Sequence, residues 1–107
     1  MTIFAKGTIA VIFIAQRTGD DRENYDAAGA AMDALAAAQP GYCGINSVED
    51  AQGLGITVSY WANEDAAKAW RDHPEHAAIR DQGRSRWYAW YHLHAAEVTR
   101  SYDWAKP

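Results

Sequence analysis

The chain has 107 residues and a mass of 11.8 kDa, which is the size of one domain, so we expect residues 1–107 to fold as a single unit. Its formal net charge is −4, and it lacks the basic stripe of a nucleic-acid-binding protein, so we expect no nucleic-acid partner. Cys43 is the only cysteine, which excludes an intrachain disulfide and fits a reducing compartment. The apolar run over 8–15 is too short to cross a membrane, and no basic segment precedes it. We therefore expect no membrane partner and a cytoplasmic location.

The first predicted element is a strand over 9–15, IAVIFIA, whose apolar residues are continuous rather than alternating. Such a run is typical of a strand buried on both faces. Turn residues follow, and Asp20 with Glu23 has the loose spacing of a capping box ahead of a helix over 22–38. Pro40-Gly41 should end this helix. Its predicted apolar stripe consists of Tyr25, Ala28/Gly29, Met32 and Leu35/Ala36.

The middle of the chain predicts a hairpin followed by a second helix. Short strands over 45–49 and 54–61 flank the turn DAQG at 50–53, which is typical of an antiparallel hairpin. Asn63 should cap the second helix, since its side chain can accept hydrogen bonds from the first-turn amides. Pro74 should break or kink that helix, and Gly83 should end the piece that follows.

The last predicted element is a long strand over 87–104, in which long side chains alternate. Aromatic and apolar residues occupy both phases of this segment, and the phase of the apolar residues changes beyond Ala96. Either the strand is buried on both faces, or a β-bulge near Ala95-Ala96 restores a single core face. We favour the bulge.

The element order strand, helix, strand, strand, helix, strand predicts an α+β protomer with the ferredoxin-like split βαβ arrangement, βαββαβ. Two helices can cover only one face of such an antiparallel sheet. The first strand is apolar on both faces, and leaving one set of side chains in water would cost about 25 cal/mol per Å². The sequence therefore predicts a symmetric homodimer in which the bare faces pack together.

Several segments carry a resemblance to a known family. They are QPGYCGI at 39–45, GLGITVSYW at 53–61, the lone Trp70, HPEH at 73–76 and GRSRWY at 83–88. On these residues the chain resembles the antibiotic biosynthesis monooxygenase (ABM) domain proteins, and among them the small bacterial YqjZ-like group. The resemblance implies a dimeric α/β barrel. It also implies that a small aromatic substrate, a phenol or quinol, is oxygenated without metal, flavin or nicotinamide, because the deprotonated substrate itself reduces oxygen.

The resemblance also implies a pocket between the sheet and the helices, into which Trp70 would project from the second helix. We take Trp70 and His76 as the catalytic candidates, His76 because an unperturbed imidazole titrates near pH 6.5, where a proton acceptor must work. The basic candidates for substrate binding are His73, Arg80 and Arg84, which share a helix face with His76 by spacing. A solvated polar face is the alternative interpretation of these residues. The aromatic candidates for substrate binding are Trp61, Tyr60 and Tyr88.

Two alternative functions remain open: a haem-binding or haem-degrading ABM relative, and a non-catalytic binder of small hydrophobic molecules. Haem-degrading ABM proteins use an asparagine on the first strand, a tryptophan on the second helix and a histidine ten residues later. Trp70 matches, but residues 7–16 contain no asparagine and Arg80 stands at the histidine position. His92 and His94 lie on one strand face, yet two ligands are too few for a structural metal site. We therefore expect no metal.

Overall fold

The computed structural model describes residues 3–107 and has the predicted element order. The strands pair antiparallel in one sheet with the order β2-β3-β1-β4. The α+β class and the βαββαβ order are thus confirmed. None of the helices within this part of the chain has the length and apolar character that a membrane crossing requires. The elements are β1 (Ile9–Arg17), α1 (Arg22–Ala37), β2 (Tyr42–Glu49), β3 (Leu54–Trp61), α2 (Glu64–Arg71), α3 (Pro74–Gln82), a π-helical turn (Gly83–Trp87) and β4 (Tyr88–Glu97).

The core lies between one end of the sheet and the helices α1 and α2. Trp61, at the end of β3, is completely buried and packs with Ile9 of β1, Ala36 of α1 and Ala67 of α2. Because side chains alternate along a strand, Val11 and Phe13 share the helix-facing side of β1 with Ile9. The stripe predicted for α1 is confirmed for Tyr25, Ala28, Met32, Leu35 and Ala36, all buried or half-buried, whereas Gly29 is exposed.

The other face of the sheet has no helix on it among residues 3–107. Ile12 and Ile14 of β1 point to this outer face, and the register places Ile14 beside Ile56 and Ile12 beside Val58. Ile56 is 41% exposed. The expectation that β1 is apolar on both faces is therefore correct, and in the protomer one of those faces remains accessible to solvent.

The β-bulge predicted near Ala95-Ala96 is wrong. β1 and β4 pair in continuous register from Ile9–Glu97 to Gln16–Trp90, and the shift comes only where Arg17 opposes Tyr88. The extra residue is therefore Ala89. The bulge has a packing reason, because it rotates Tyr88 to the helix-facing side, where its ring centroid lies 5.3 Å from that of Phe13.

The prediction that the last strand continues to Trp104 is also wrong, since β4 ends at Glu97. A turn closed by a hydrogen bond from the Thr8 amide to the Ala5 carbonyl, 3.0 Å long, interrupts the neighbouring segment. Val98 still exchanges backbone hydrogen bonds with Gly7 and Thr8, and no ladder pairing follows it within residues 3–107. Tyr102 and Trp104 are consequently 84% and 78% exposed.

The helix ends follow the sequence signals in part. Asn63 caps α2 as predicted, since its Oδ1 accepts from the Ala66 amide at 2.8 Å. The helix is also interrupted as predicted, because α2 ends at Arg71 and α3 begins at Pro74.

The capping box predicted for Asp20 with Glu23 is wrong. The residue before α1 is Asp21, which has a φ of 52° and makes no side-chain cap. Its carboxylate instead accepts from the Asn24 side chain at 2.9 Å.

α3 ends at Gln82 with Gly83 as its C-cap residue, as predicted, although Gly83 does not adopt the left-handed backbone that favours glycine at this position. Its backbone is right-handed helical, and the chain continues through the π-helical turn to Trp87. The glycine is needed for a different reason, because a Cβ here would lie 2.8 Å from the Tyr88 ring. Because a π-helical turn does not follow the α-helical repeat, Arg84 does not continue the face of α3 that carries His76 and Arg80.

Gly41 fixes the approach of the α1–β2 connection to α2. Its φ is 82°, and a Cβ at this position would lie 2.6 Å from the Cβ of Ala66. Only glycine satisfies both the positive φ and the close contact. Gly19 has the same φ of 82° but has nothing within 4 Å of its Cβ position.

Alanine substitutions at these two glycines separate the cost of a left-handed backbone from the cost of steric overlap. Gly19→Ala should lower the free energy of unfolding by about 1 to 2 kcal/mol through the left-handed backbone alone. Gly41→Ala should lose that amount and a further ~1 to 3 kcal/mol from overpacking against α2. Urea denaturation of both variants measures the difference, and equal losses would contradict the close packing of Gly41 against Ala66.

Candidate functional site

Three nearly parallel rings meet where β3, α2 and α3 come together. The centroids of Trp61 and Trp70 lie 5.9 Å apart with an interplanar angle of 22°. Those of Trp70 and His76 lie 4.3 Å apart with an angle of 9°. The ring of His73 is 5.8 Å from Trp70. The break at Pro74 produces this arrangement, because it turns α3 back so that its first turn contacts the last turn of α2.

The hydrogen bond of His76 fixes the form of its imidazole. Nδ1 lies 3.0 Å from the carbonyl oxygen of Trp70, and a carbonyl oxygen can only accept, so Nδ1 carries the proton. Nε2 of the neutral ring then keeps its lone pair. Burial lowers the pKa of His76 from its usual 6.5, an effect opposed by the bond to Trp70 and reinforced by the positive Arg80 and by His73. The half-buried His76 is therefore neutral at pH 7, and its Nε2 can accept a hydrogen bond.

Trp70 also lines an open groove of about 330 Å³. One wall comes from the α1–β2 connection at Pro40 and Gly41, and the other from Ala66 and Ala69 of α2. The walls are mostly apolar, so the groove could accept the apolar part of a small molecule. Gly41 therefore shapes this groove as well as the packing of the α1–β2 connection against α2.

The two arginines that the sequence placed with His76 have different surroundings. The Arg80 Nη1 donates to the carbonyl of Arg71 at 3.1 Å, and its Nε is buried without a partner among residues 3–107. The Arg84 Nε donates to the Tyr91 hydroxyl at 2.7 Å. Arg80 thus stays near His76, whereas Arg84, displaced by the π-helical turn, contacts β4.

The two tyrosine candidates lie elsewhere. Tyr60 is on the outer face of the sheet, because neighbouring residues of a strand point to opposite sides, and its ring stacks on Phe4 with centroids 3.9 Å apart. Tyr88 is on the helix-facing side, and its hydroxyl donates to that of Tyr25 at 3.3 Å. Burial raises the pKa of Tyr88 above its usual range. The structure therefore brings together Trp61, Trp70, His73, His76 and Arg80, and it separates Tyr60, Arg84 and Tyr88 from them.

Arg17 is a buried residue that the sequence analysis missed. It is the last residue of β1, its side chain is only 3% exposed, and its guanidinium lies 3.4 Å above the ring centroid of Tyr25. The predicted strand ended at residue 15. Its spacing could have predicted that it faces the helices, because Arg17 continues the i, i+2 series of helix-facing residues that contains Phe13 and Ala15.

The state of His76 predicts how stability depends on pH. The unfolded imidazole takes up a proton near pH 6.5, and the folded one does so at lower pH. The contribution to stability is therefore present above about pH 6.5 and is lost as the pH falls through the folded pKa. His76→Phe, which keeps a stacking ring, should lose stability less steeply than wild type between about pH 7 and pH 5. Identical slopes in urea denaturation, or an imidazole pKa above 6.5 by NMR, would contradict the assignment.

Comparison with known proteins agrees with this fold. Residues 8–82 match the family model described as antibiotic biosynthesis monooxygenase. The uncharacterized protein YqjZ of Bacillus subtilis (strain 168) is 46% identical over 91 residues, which cover 85% of this chain and 79% of that protein.

Two solved structures have the same fold at low sequence identity. SnoaB from Streptomyces nogalater, described as a cofactor-independent oxygenase, superposes with a TM-score of 0.70 at 17% identity, covering 89% of this chain and 97% of that one. Rv0793 from Mycobacterium tuberculosis gives a TM-score of 0.73 at 20% identity, covering 92% and 99%. The match to the family model and the identity to YqjZ confirm the resemblance seen in the sequence: the chain belongs to the antibiotic biosynthesis monooxygenase family.

Proposed function

We propose that this protein is a cofactor-independent monooxygenase that acts on a small aromatic phenol or quinol. The observation that carries the proposal is the neutral His76 imidazole, whose proton sits on Nδ1 and whose Nε2 is left as an acceptor beside Trp70. Membership of the ABM family supports the reaction type. The description of SnoaB, a structural relative, as a cofactor-independent oxygenase supports the absence of a cofactor.

The proposed chemistry begins with proton transfer from the substrate hydroxyl to Nε2 of His76. The resulting anion is electron-rich enough to reduce oxygen itself. One oxygen atom becomes a carbonyl of the product, a quinone, and the other leaves as water. The substrate supplies all four electrons and both hydrogens of that water, one of them by way of His76, so no external reductant is needed. The protein therefore has to position the ring, accept the proton and stabilise the negative charge.

Neighbouring residues divide the remaining tasks. Arg80 lies one turn beyond His76 on α3, and its positive charge, which already acts on the His76 imidazole, would stabilise the phenolate. Trp70 provides an aromatic wall, and the fully buried Trp61 holds it in place. His73 borders the same ring. We leave Tyr60, Arg84 and Tyr88 out of the proposed site because the fold separates them from His76.

We further propose that the protein acts as a homodimer whose outer sheet faces pack together. The apolar residues of that face support this, since Ile56 and Val48 are 41% and 71% exposed in the protomer. A symmetric partner presents the same residues and would cover both sets at once. We also propose a cytoplasmic location, which the free, exposed thiol of Cys43 supports.

The role of His76 predicts a loss of turnover. With a panel of anthrones and naphthoquinols, His76→Ala should lower oxygen consumption by ~10² to 10⁴-fold and leave the substrate Kd nearly unchanged. Asp81→Ala, an exposed change on the same helix, is the matched control and should keep the wild-type rate. Wild-type turnover in His76→Ala would remove His76 from the mechanism. Binding without oxygen uptake would favour a non-catalytic binder, and a Soret band with hemin would favour the haem alternative.

Trp70 tests the aromatic wall separately. Trp70→Phe should lower the free energy of unfolding by ~1 to 3 kcal/mol, as expected for a smaller aromatic in a packed site, and should weaken binding of the aromatic ligand. Trp104→Phe removes the same indole from a position that is 78% exposed and should change neither property. A quinol titration followed by calorimetry distinguishes the two, and unchanged affinity in Trp70→Phe would show that Trp70 serves packing alone.

A further inference from the structure

We propose that a second cavity, at the opposite end of β1, binds a small planar oxyanion of the carboxylate type through the buried guanidinium of Arg17. Ile9 packs on Trp61 at one end of the strand, and Arg17 closes the other. At about 3.3 Å per residue the two ends are roughly 26 Å apart. The cavity is therefore separate from the His76 site, and its function does not depend on the proposed reaction.

The hydrogen bonds of Arg17 are incomplete. Its Nη1 lies 3.4 Å from Oε1 of Glu49, a long contact. Nε and Nη2 are buried and have no partner among the described residues. These two atoms form one edge of the planar guanidinium, the edge that binds the two oxygens of a carboxylate in parallel. Leaving such charged donors unpaired in a protein interior is unfavourable, so the geometry points to a ligand.

The charge of Arg17 is also incompletely compensated. Glu49 is the acidic partner of Arg17, but its Oε2 is shared with Arg22, whose Nη1 lies 3.0 Å away. Arg22 also pairs with Asp26, whose carboxylate lies 3.1 Å from its Nε, whereas Arg17 has no acidic partner besides Glu49 within residues 3–107. Arg22 is largely exposed and can be solvated, whereas Arg17 cannot. An anion beside Arg17 would supply the missing negative charge.

The cavity matches a small planar group in size and lining. Its volume of about 40 Å³ has room for roughly three water-sized atoms, the number of heavy atoms in a carboxylate. Three aromatic rings line it, those of Phe13, Tyr25 and Tyr88. Because the Tyr88 hydroxyl donates to that of Tyr25, the Tyr25 hydroxyl keeps its own hydrogen to donate to a ligand. Burial keeps the Tyr88 hydroxyl protonated by raising its pKa.

One carboxylate opposes an incoming anion, because Glu49 also lines the cavity. Substitution of Glu49 can therefore distinguish an anion-binding site from a simple Arg17–Glu49 ion pair. If Arg17 serves only as the ion-pair partner of Glu49, Glu49→Gln removes that ion pair and gives the protein no affinity for added anions. If the cavity is an anion site, Glu49→Gln removes the competing charge and tightens binding.

The test is the melting temperature of the whole chain titrated with sodium formate, acetate or bicarbonate, with sodium chloride at equal ionic strength as the reference. Wild type should show a saturable rise in Tm with at least one planar anion. Arg17→Met should weaken that affinity by about ten- to a hundredfold, the value of a charged hydrogen bond. Arg22→Met removes the exposed guanidinium that shares Glu49 and should keep the response. Glu49→Gln should increase the affinity.

The same titration distinguishes an organic carboxylate ligand from inorganic bicarbonate. A response to formate or acetate alone indicates the carboxylate of an organic acid, and a response to bicarbonate alone indicates the inorganic ion. In case Arg17→Met does not fold, titration of the wild type with ¹³C-formate, followed through the ring signals of Tyr25 and Tyr88, provides a second measurement. No saturable shift with any planar anion in either measurement, or equal responses from Arg17→Met and Arg22→Met, would overturn the proposal.

Discussion

The apolar side chains on both faces of β1 are the constraint on which the rest of the structure depends. One face carries Ile9 and Phe13 and is covered by the helices of the same chain. The other carries Ile12 and Ile14, and the register sets them beside equally apolar residues of β3, including the 41% exposed Ile56. A βαββαβ chain has its helices on one side of the sheet, so this second apolar surface can be covered only from outside the protomer.

The two ends of the helix-facing side of β1 have different chemistry. At Ile9 the surroundings are apolar and aromatic, and Trp61 stacks with Trp70 and then His76. Desolvation there keeps the imidazole neutral and thereby gives it an acceptor nitrogen. At Arg17 the same burial acts on a group that stays charged, so the polar atoms must find partners instead. The aromatic stack that ends in the neutral His76 imidazole thus lies at one end of this strand, and a buried cation lies at the other.

The sequence predicts this fold where the signals are local. Apolar runs, Asn63, Pro74 and the DAQG turn act within a few residues, and the element order they predict is confirmed. The errors depend on contacts distant in the chain: the bulge lies at Ala89 because Tyr88 packs on Phe13, and β4 ends where the segment before β1 turns. The site shows the same division. Helical spacing placed His76 and Arg80 together, but the π-helical turn that carries Arg84 away and the burial of Arg17 required tertiary packing.

The mass of the protein in solution tests this account most directly. Sedimentation equilibrium at micromolar concentration should give twice the chain mass of 11.8 kDa, because the proposed homodimer covers the apolar outer face of the sheet. Ile56→Asp places a charge in that face and should shift the mass toward one chain, whereas Ala30→Asp, on the exposed side of α1, should leave it unchanged. A stable wild-type monomer with the mass of a single chain would contradict the account.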